Sequence, residues 1–359
     1  MKVLILSNSL ATGGAEKLLL DTIPLFEKKG WEVELALLNG KDYPFLQQLK
    51  ESSHCKIHAL SRGSVYNPFL MVKLIPLLKR FPIVHVHLFP SLYWAAMAKT
   101  LSFSKTKLLF TEHNTTNRRK GLLFRILDNW VYKKYSKIIV ITEEVGRSLL
   151  KRTKGLSSKL VVIPNGVDLQ KIIHAKATSR NVFSISATEK IILQVSSFTP
   201  QKDQKTLIEA IQLLPPYVHL FLVGQGPTQK DCMILAKNLG LESRVHFLGI
   251  RMDVPQLLKM ADIVVLSSHF EGLSLASIEG MISGKPFIAT KVPGLESLVS
   301  GAGVLVAENH PGELATAIET LLNNPTTYLK IANACQERAL DYSLEKMAAH
   351  YLAVYKELW

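Results

Sequence analysis

Ile263-Val264-Val265-Leu266-Ser267-Ser268-His269-Phe270-Glu271-Gly272-Leu273-Ser274-Leu275-Ala276-Ser277-Ile278-Glu279-Gly280 changes character twice. It begins as a four-residue apolar run, the pattern of a strand buried on both faces. After a polar turn, Leu275 to Ser283 takes helical spacing, with Ser274 as N-cap, Gly284 as stop and Pro286 just beyond. Glu271 lies before this helix. Glu279 lies inside it, about five positions or roughly 7.5 Å from the cap. A helix N-terminus offers unpaired N–H groups and the positive end of a dipole, which suits a diphosphate. A carboxylate on each side can hold hydroxyls of whatever the diphosphate joins. A nucleotide-linked sugar has that layout. Alone, the same residues also fit an ordinary crossover with two solvated glutamates.

Outward from this stretch, short apolar runs alternate with helical patterns, the rhythm of a parallel α/β sheet. In the first half the spacing predicts strands at Val3–Leu6, Val33–Leu37, Lys56–Ala59, Ile83–His87, Leu108–Thr111, Ile138–Ile141 and Leu160–Ile163. Helices fit at Ala15–Lys29, Pro68–Arg80 and Leu122–Tyr135. The rhythm restarts with strands at Ile191–Val195, His219–Val223, Val245–Leu248, Ile263–Leu266, Phe287–Ala289 and Val304–Val306. Helices there fit at Asp203–Leu213, Gln229–Leu239, Pro255–Met260 and Leu275–Ser283, then Pro311–Leu322 and Leu344–Leu358. The expected division is a first domain over 1–172, a linker over 173–189, a second domain over 190–340 and a terminal helix over 341–359. Two doubly wound sheets in tandem imply a cleft, with ligands at the carboxyl ends of the strands.

The 359 residues are 47% hydrophobic and 20% charged, as in a globular chain with substantial cores. The net charge of +14 is lopsided. Residues 1–172 hold 27 Lys+Arg against 12 Asp+Glu, and the remainder 16 against 17. A basic half points to an anionic partner: a phosphorylated substrate, an acidic lipid surface or nucleic acid. Nucleic acid is disfavoured, because no recognition motif or interleaved aromatic platform is present. Cys55, Cys232 and Cys335 are scattered, which argues against a disulfide scaffold or zinc site and for a reducing, cytoplasmic setting. The run Val3-Leu4-Ile5-Leu6 is short for a signal peptide and fits a first strand. No run approaches the ~18 apolar residues of a membrane span.

Other loops carry chemistry. Gly13-Gly14-Ala15-Glu16 opens the first helix, where glycines permit close backbone approach to a ligand. His113 ends a strand in Thr111-Glu112-His113-Asn114 and can meet a substrate hydroxyl, or serve as a bonded structural histidine. His85 and His87 share one strand face but lack a clear third metal ligand. Lys202, in Pro200-Gln201-Lys202-Asp203, is a compact cation placed to meet a phosphate, or a solvated surface lysine. Gly224-Gln225-Gly226-Pro227 is a small turn against which a flat base can lie, or a plain turn. No Asp-x-Asp is present, so no metal or other cofactor is expected. The stretch around Arg118, Arg119, Lys120 and Arg125, continuing to Lys133 and Lys134, reads as a basic amphipathic helix suited to an anionic membrane, or to packing on its own sheet.

Taken together, these motifs resemble the family-4 retaining glycosyltransferases, the glycosyl transferases group 1 of bacterial surface-glycan synthesis. The order is Gly-Gly-Ala-Glu, a histidine after a mid-domain strand, Pro-Asn-Gly-Val-Asp at 164–168, Pro-Gln-Lys-Asp at 200–203, Gly-Gln-Gly-Pro at 224–227, Val-His-Phe-Leu-Gly at 245–249, and the Glu271/Glu279 pair followed by Gly-Lys-Pro at 284–286. The resemblance implies an α/β GT-B fold: two Rossmann-like doubly wound parallel-sheet domains facing across a cleft, with the C-terminal helix crossing back to the first. It implies transfer from a nucleotide-diphosphate sugar to a glycan or lipid-linked glycan in polysaccharide, capsule or lipopolysaccharide synthesis, at the cytoplasmic face of the membrane. By position, Glu279 would hold the ribose and Glu271 the donor sugar. The amides of Gly272, Leu273, Ser274 and Leu275, with Lys202, would cradle the diphosphate. Gly14, beside Gly13, would approach it, and His113 would contact the sugar near the reacting carbon. One departure stands out: the family usually has Gly-Arg where this chain has Ser196-Ser197, so an arginine for the diphosphate is missing at Ser197. A GT-B epimerase or hydrolase is the enzymatic alternative.

Overall fold

The apolar runs form strands because both faces are covered: every residue of Ile83–His87, Val218–Val223 and Ile263–Leu266 is buried. Continuous rather than alternating hydrophobicity is what a parallel sheet between helical layers demands. The computed structural model describes residues 1–113 and 121–359, apart from the side chains of Leu122 and Leu123. Arg118, Arg119 and Lys120 of the expected basic helix therefore lie outside the described residues.

The chain runs β1 (Lys2–Ser7), α1 (Gly14–Lys28), β2 (Glu32–Leu37), α2 (Pro44–Ser52), β3 (Lys56–Ala59), α3 (Phe69–Arg80), β4 (Ile83–His87), α4 (Ser91–Ser102), β5 (Lys107–Glu112), α5 (Leu122–Lys133), β6 (Lys137–Val140), α6 (Glu143–Arg152) and β7 (Leu160–Val162). It continues through α7 (Leu169–Ile173), β8 (Lys190–Val195), α8 (Gln204–Gln212), β9 (Val218–Val223), α9 (Gln229–Asn238), β10 (Val245–Gly249), α10 (Val254–Met260) and β11 (Ile263–Leu266). The remaining elements are α11 (Leu275–Ile282), β12 (Phe287–Thr290), α12 (Pro293–Val299), β13 (Val304–Val306), α13 (Pro311–Asn323), α14 (Pro325–Ala339) and α15 (Leu344–Leu358).

Two units result. Met1–Gly166 with Leu344–Trp359 make the first, and Val167–Ser343 the second. The first holds a seven-stranded sheet in the order β3-β2-β1-β4-β5-β6-β7, and the second a six-stranded sheet in the order β10-β9-β8-β11-β12-β13. Both sheets are parallel, and in each the order reverses beside the unit's first strand. That reversal opens a crevice at the strands' carboxyl ends, where ligands bind in such sheets. It falls between β1 and β4 in the first unit and between β8 and β11 in the second.

α15 belongs to the first unit because its aromatic face is buried there. Tyr355 packs 5.7 Å from Phe26 and 5.5 Å from Trp31, ring centre to ring centre, and its hydroxyl lies 2.6 Å from His85 Nδ1. Two boundaries differ from the sequence expectation. The first unit ends at Gly166 rather than at 172, because Leu169 and Ile172 of α7 are buried within the second unit. The stretch 173–189, expected to be a linker, is docked on that unit: Arg180 donates to the Glu189 carbonyl at 2.7 Å and to Asp262 Oδ2 at 2.8 Å, and Phe183 packs edge-on to Phe221.

Candidate donor site

The carboxyl ends of β8 and β11 are tied together by the loops that follow them. Lys202 and Ser268 form an isolated antiparallel bridge, Asp203 N donates to the Ser267 carbonyl at 3.1 Å, and His269 N donates to the Gln201 carbonyl at 2.9 Å. Asp203 caps α8 by accepting from Thr206 N at 3.2 Å, so Lys202 stands immediately before the cap. This backbone ladder brings Lys202 Nζ onto Glu271 Oε1. The same carboxylate accepts from Ser268 Oγ at 2.8 Å and, through Oε2, from Gln201 Nε2 at 3.3 Å. Glu271 is thus a buried carboxylate with its orientation fixed, as buried charges require.

Ser274 caps α11 as the sequence indicates, its hydroxyl accepting from Ser277 N at 3.4 Å. Gly272 and Leu273 fill the turn between Glu271 and that cap, and Leu275 starts the helix. Glu279 lies one turn further along α11, part-exposed. Behind the turn, Gly294 of α12 presses on the chain. A Cβ there would sit 2.0 Å from the Gly272 carbonyl oxygen and 2.4 Å from that of Glu271.

Gly224 and Gly226 are packed against the chain's own backbone. A Cβ on Gly224, whose φ is +133°, would lie 2.1 Å from the Ser196 carbonyl oxygen, and one on Gly226 2.0 Å from that of Phe198. The loop after β8 therefore rests directly on the turn after β9, and the smallness of these residues serves the chain's own backbone. Ser197 is exposed, with its carbonyl held by Gln204 Nε2 at 3.0 Å.

In the first unit, the loops after β1 and β4 are joined by Asn8, which donates to the Phe89 carbonyl at 2.7 Å and accepts from Ser91 Oγ at 2.8 Å. Gly14 faces open space, whereas a Cβ on Gly13 would meet the Glu16 carboxylate. Burial pushes the Glu16 carboxyl up. His113 Nε2 pairs with His87 Nδ1 at 3.1 Å, and the two rings stack. His85 is spent on Tyr355 Oη and, at 2.7 Å, on Thr111 Oγ1. Burial lowers His113 to about 4 and His85 to about 3, so both rings are neutral near pH 7. Among the described residues no group of three His, Cys, Asp or Glu side chains is placed to hold a metal.

The sequence brought Glu271, Lys202 and the Ser274 cap to one loop pair. It missed Gln201, Ser268, Gln194 and Gln204. The one usable signal was Gln194, a lone amide next to the last residue of an otherwise largely apolar strand.

A family model described as "Glycosyl transferases group 1" matches residues 175–339, and one described as "Glycosyltransferase Family 4" matches 12–171. This chain belongs to the family-4-type glycosyltransferases. Among the relatives of this glycosyltransferase is the UDP-Gal:alpha-D-GlcNAc-diphosphoundecaprenol alpha-1,3-galactosyltransferase of Escherichia coli, 27% identical over 76% of this chain and 74% of the relative. Another is the N-acetylgalactosamine-N,N'-diacetylbacillosaminyl-diphospho-undecaprenol 4-alpha-N-acetylgalactosaminyltransferase of Campylobacter jejuni, 25% identical over 95% of both chains. The crystal structure of Anabaena Alr3699/HepE in complex with UDP-glucose superposes with a TM-score of 0.88 at 24% identity, covering 99% of this chain and 100% of that one. The glycosyltransferase therefore has the GT-B fold, with two Rossmann-like α/β units.

Proposed function

We propose that this glycosyltransferase moves a sugar from a nucleotide-diphosphate sugar to a lipid-linked glycan, retaining the donor's anomeric configuration and using no metal. The observation that carries the reading is the Lys202–Glu271 pair, locked by Ser268 and Gln201 where the order of the second sheet reverses. In this reading Glu271 binds hydroxyls of the donor sugar, and Glu279 those of the ribose. Lys202 and the amides of Gly272 to Leu275 face the diphosphate. Breaking the sugar–phosphate bond develops charge on the leaving diphosphate, and preorganised cations and amides stabilise it most in the transition state. The departing phosphate then takes the acceptor's proton on the face from which it leaves, so no hydrolase-type carboxylate pair is needed. His113, kept neutral by burial, is suited to hydrogen-bond a sugar hydroxyl.

The diphosphoundecaprenol named in the Escherichia coli and Campylobacter jejuni relatives supports an acceptor of that class, in bacterial surface-polysaccharide synthesis. A lipid-linked acceptor favours an enzyme at the inner face of the plasma membrane. α5 supports that location: Arg125, Phe124, Ile126 and Trp130 are exposed, and Lys134 sits 5.0 Å over the Trp130 ring. Among the described residues no helix is long and apolar enough to cross a membrane. The test is incubation with a panel of nucleotide sugars and an undecaprenyl-diphosphate glycan. Acceptor extension supports the proposal. Free sugar or an epimer formed without extension replaces it with the hydrolase or epimerase alternative.

A further inference from the structure

The hydrogen bonds around Ser196 fix the direction in which its hydroxyl works. Ser196 is the first residue past β8, at the point where the order of the second sheet reverses. Its Oγ accepts from Gln194 Nε2 at 2.9 Å and from Gln204 Nε2 at 3.0 Å. A side-chain amide's orientation must be inferred from its partners, and here backbone groups decide both. Gln194 Oε1 accepts from Ser267 N at 3.1 Å, which forces its NH2 toward Ser196. Gln204 Nε2 also donates to the Ser197 carbonyl at 3.0 Å. Turning that amide over would press its oxygen on a carbonyl. It would also move the NH2 to the buried spot where Oε1 now has no partner, and orphaned donors are rarer than orphaned acceptors.

A hydroxyl has two acceptor lone pairs and one proton. Both lone pairs of Ser196 are occupied by N–H groups, and no described residue accepts its proton. The residue is part-exposed just past β8, so an acceptor from outside the chain can reach that proton, and the loop is braced by Gly224. Such a group can recognise an acceptor and cannot recognise a donor.

We infer that Ser196 donates to a phosphate oxygen of the nucleotide diphosphate, and so supplies part of the anion recognition that an arginine at position 197 would give. This rests on the donor-site reading above. Ser196 is distinct from Lys202, Glu271 and the α11 turn. Hydrogen bonds to charged groups are about twice as strong as neutral ones, so the effect should be measurable and confined to the phosphates.

The test titrates the full-length protein with UDP, GDP, ADP and dTDP by calorimetry, and with the nucleoside of whichever binds best by ligand-observed NMR. Ser196→Ala is expected to weaken the diphosphate about tenfold and to leave the nucleoside unchanged. Ser196→Thr, which keeps the hydroxyl, is expected to stay within about twofold of wild type. Unchanged diphosphate affinity in Ser196→Ala overturns the inference, as does an equal loss of diphosphate and nucleoside. A wild-type protein that binds none of the four overturns the donor-site reading itself, and Ser196 with it.

Discussion

Lys202 Nζ and Glu271 Oε1 form an ion pair across 69 residues of sequence, with 12% and 7% of the two side chains exposed. The cation assigned to the diphosphate and the carboxylate assigned to the sugar are thus each other's counterions. Neither charge is stranded, and both are held where the donor is proposed to lie.

The pair's structural and functional parts are separable. Removing one partner of a buried pair leaves an uncompensated charge, which costs about 3 kcal/mol. Lys202→Met should therefore lower the unfolding free energy by that order, and adding Glu271→Gln should recover more than half. Sugar transfer should be lost in the single and double variants alike. A double variant that regains transfer along with stability would reduce the pair to a structural role. Urea unfolding and turnover measured on one preparation decide it.

The glycines should divide into two classes. Gly224→Ala and Gly226→Ala place a Cβ near 2 Å from backbone carbonyl oxygens, so each should destabilise the second unit by about 2 kcal/mol or more. Gly14→Ala meets nothing within 4 Å and should leave the melting temperature unchanged. If Gly14 approaches a ligand closely, donor turnover should nevertheless fall. A melting-temperature loss in Gly14→Ala would place the glycine in the fold instead.

The histidine cluster sets an acid limit on the first unit. His113 and His85 are held neutral at about 4 and about 3, below the ordinary value near 6.5. The unfolded chain takes up these protons first. The stability is therefore fully present above pH 6.5 and declines as pH falls from there toward 4. His113→Asn should flatten the pH dependence of unfolding in that window. An unchanged slope would show that the buried histidines do not control it.

Strands such as β11 and β12 were legible because parallel strands buried on both faces are short, nearly continuous apolar runs. α4 was harder to see: Ser91, Leu92, Tyr93, Ala95, Ala96 and Ala98 are all buried, so no polar face marks a period. α7 was misplaced because five residues carry no long pattern, and its allegiance is decided by Leu169 and Ile172. Glu271 and Lys202 were each visible through the turn they occupy. Their pairing was not, since it depends on a ladder between loops far apart in sequence. The close packing of Gly224 on Ser196 was not legible, because a sequence shows that a glycine is present and not which atoms crowd it. The donor role of Ser196 depends on two amides whose orientations only their backbone partners reveal.

The proposed membrane association rests on the exposed basic and aromatic side chains of α5. Replacing Arg125, Lys133 and Lys134 with glutamine should weaken co-sedimentation with phosphatidylglycerol vesicles. Each basic side chain near an anionic surface contributes about 1 kcal/mol. The loss should vanish on neutral phosphatidylcholine vesicles. Binding to acidic vesicles that ignores these substitutions would return the helix to packing alone.

Metal-free transfer with retention from a nucleotide-diphosphate sugar is read out by proton NMR of the product formed in excess EDTA. An extended acceptor whose new linkage has the donor's anomeric configuration is the predicted result. Transfer that appears only after a divalent cation is restored, or a product of inverted configuration, would contradict it.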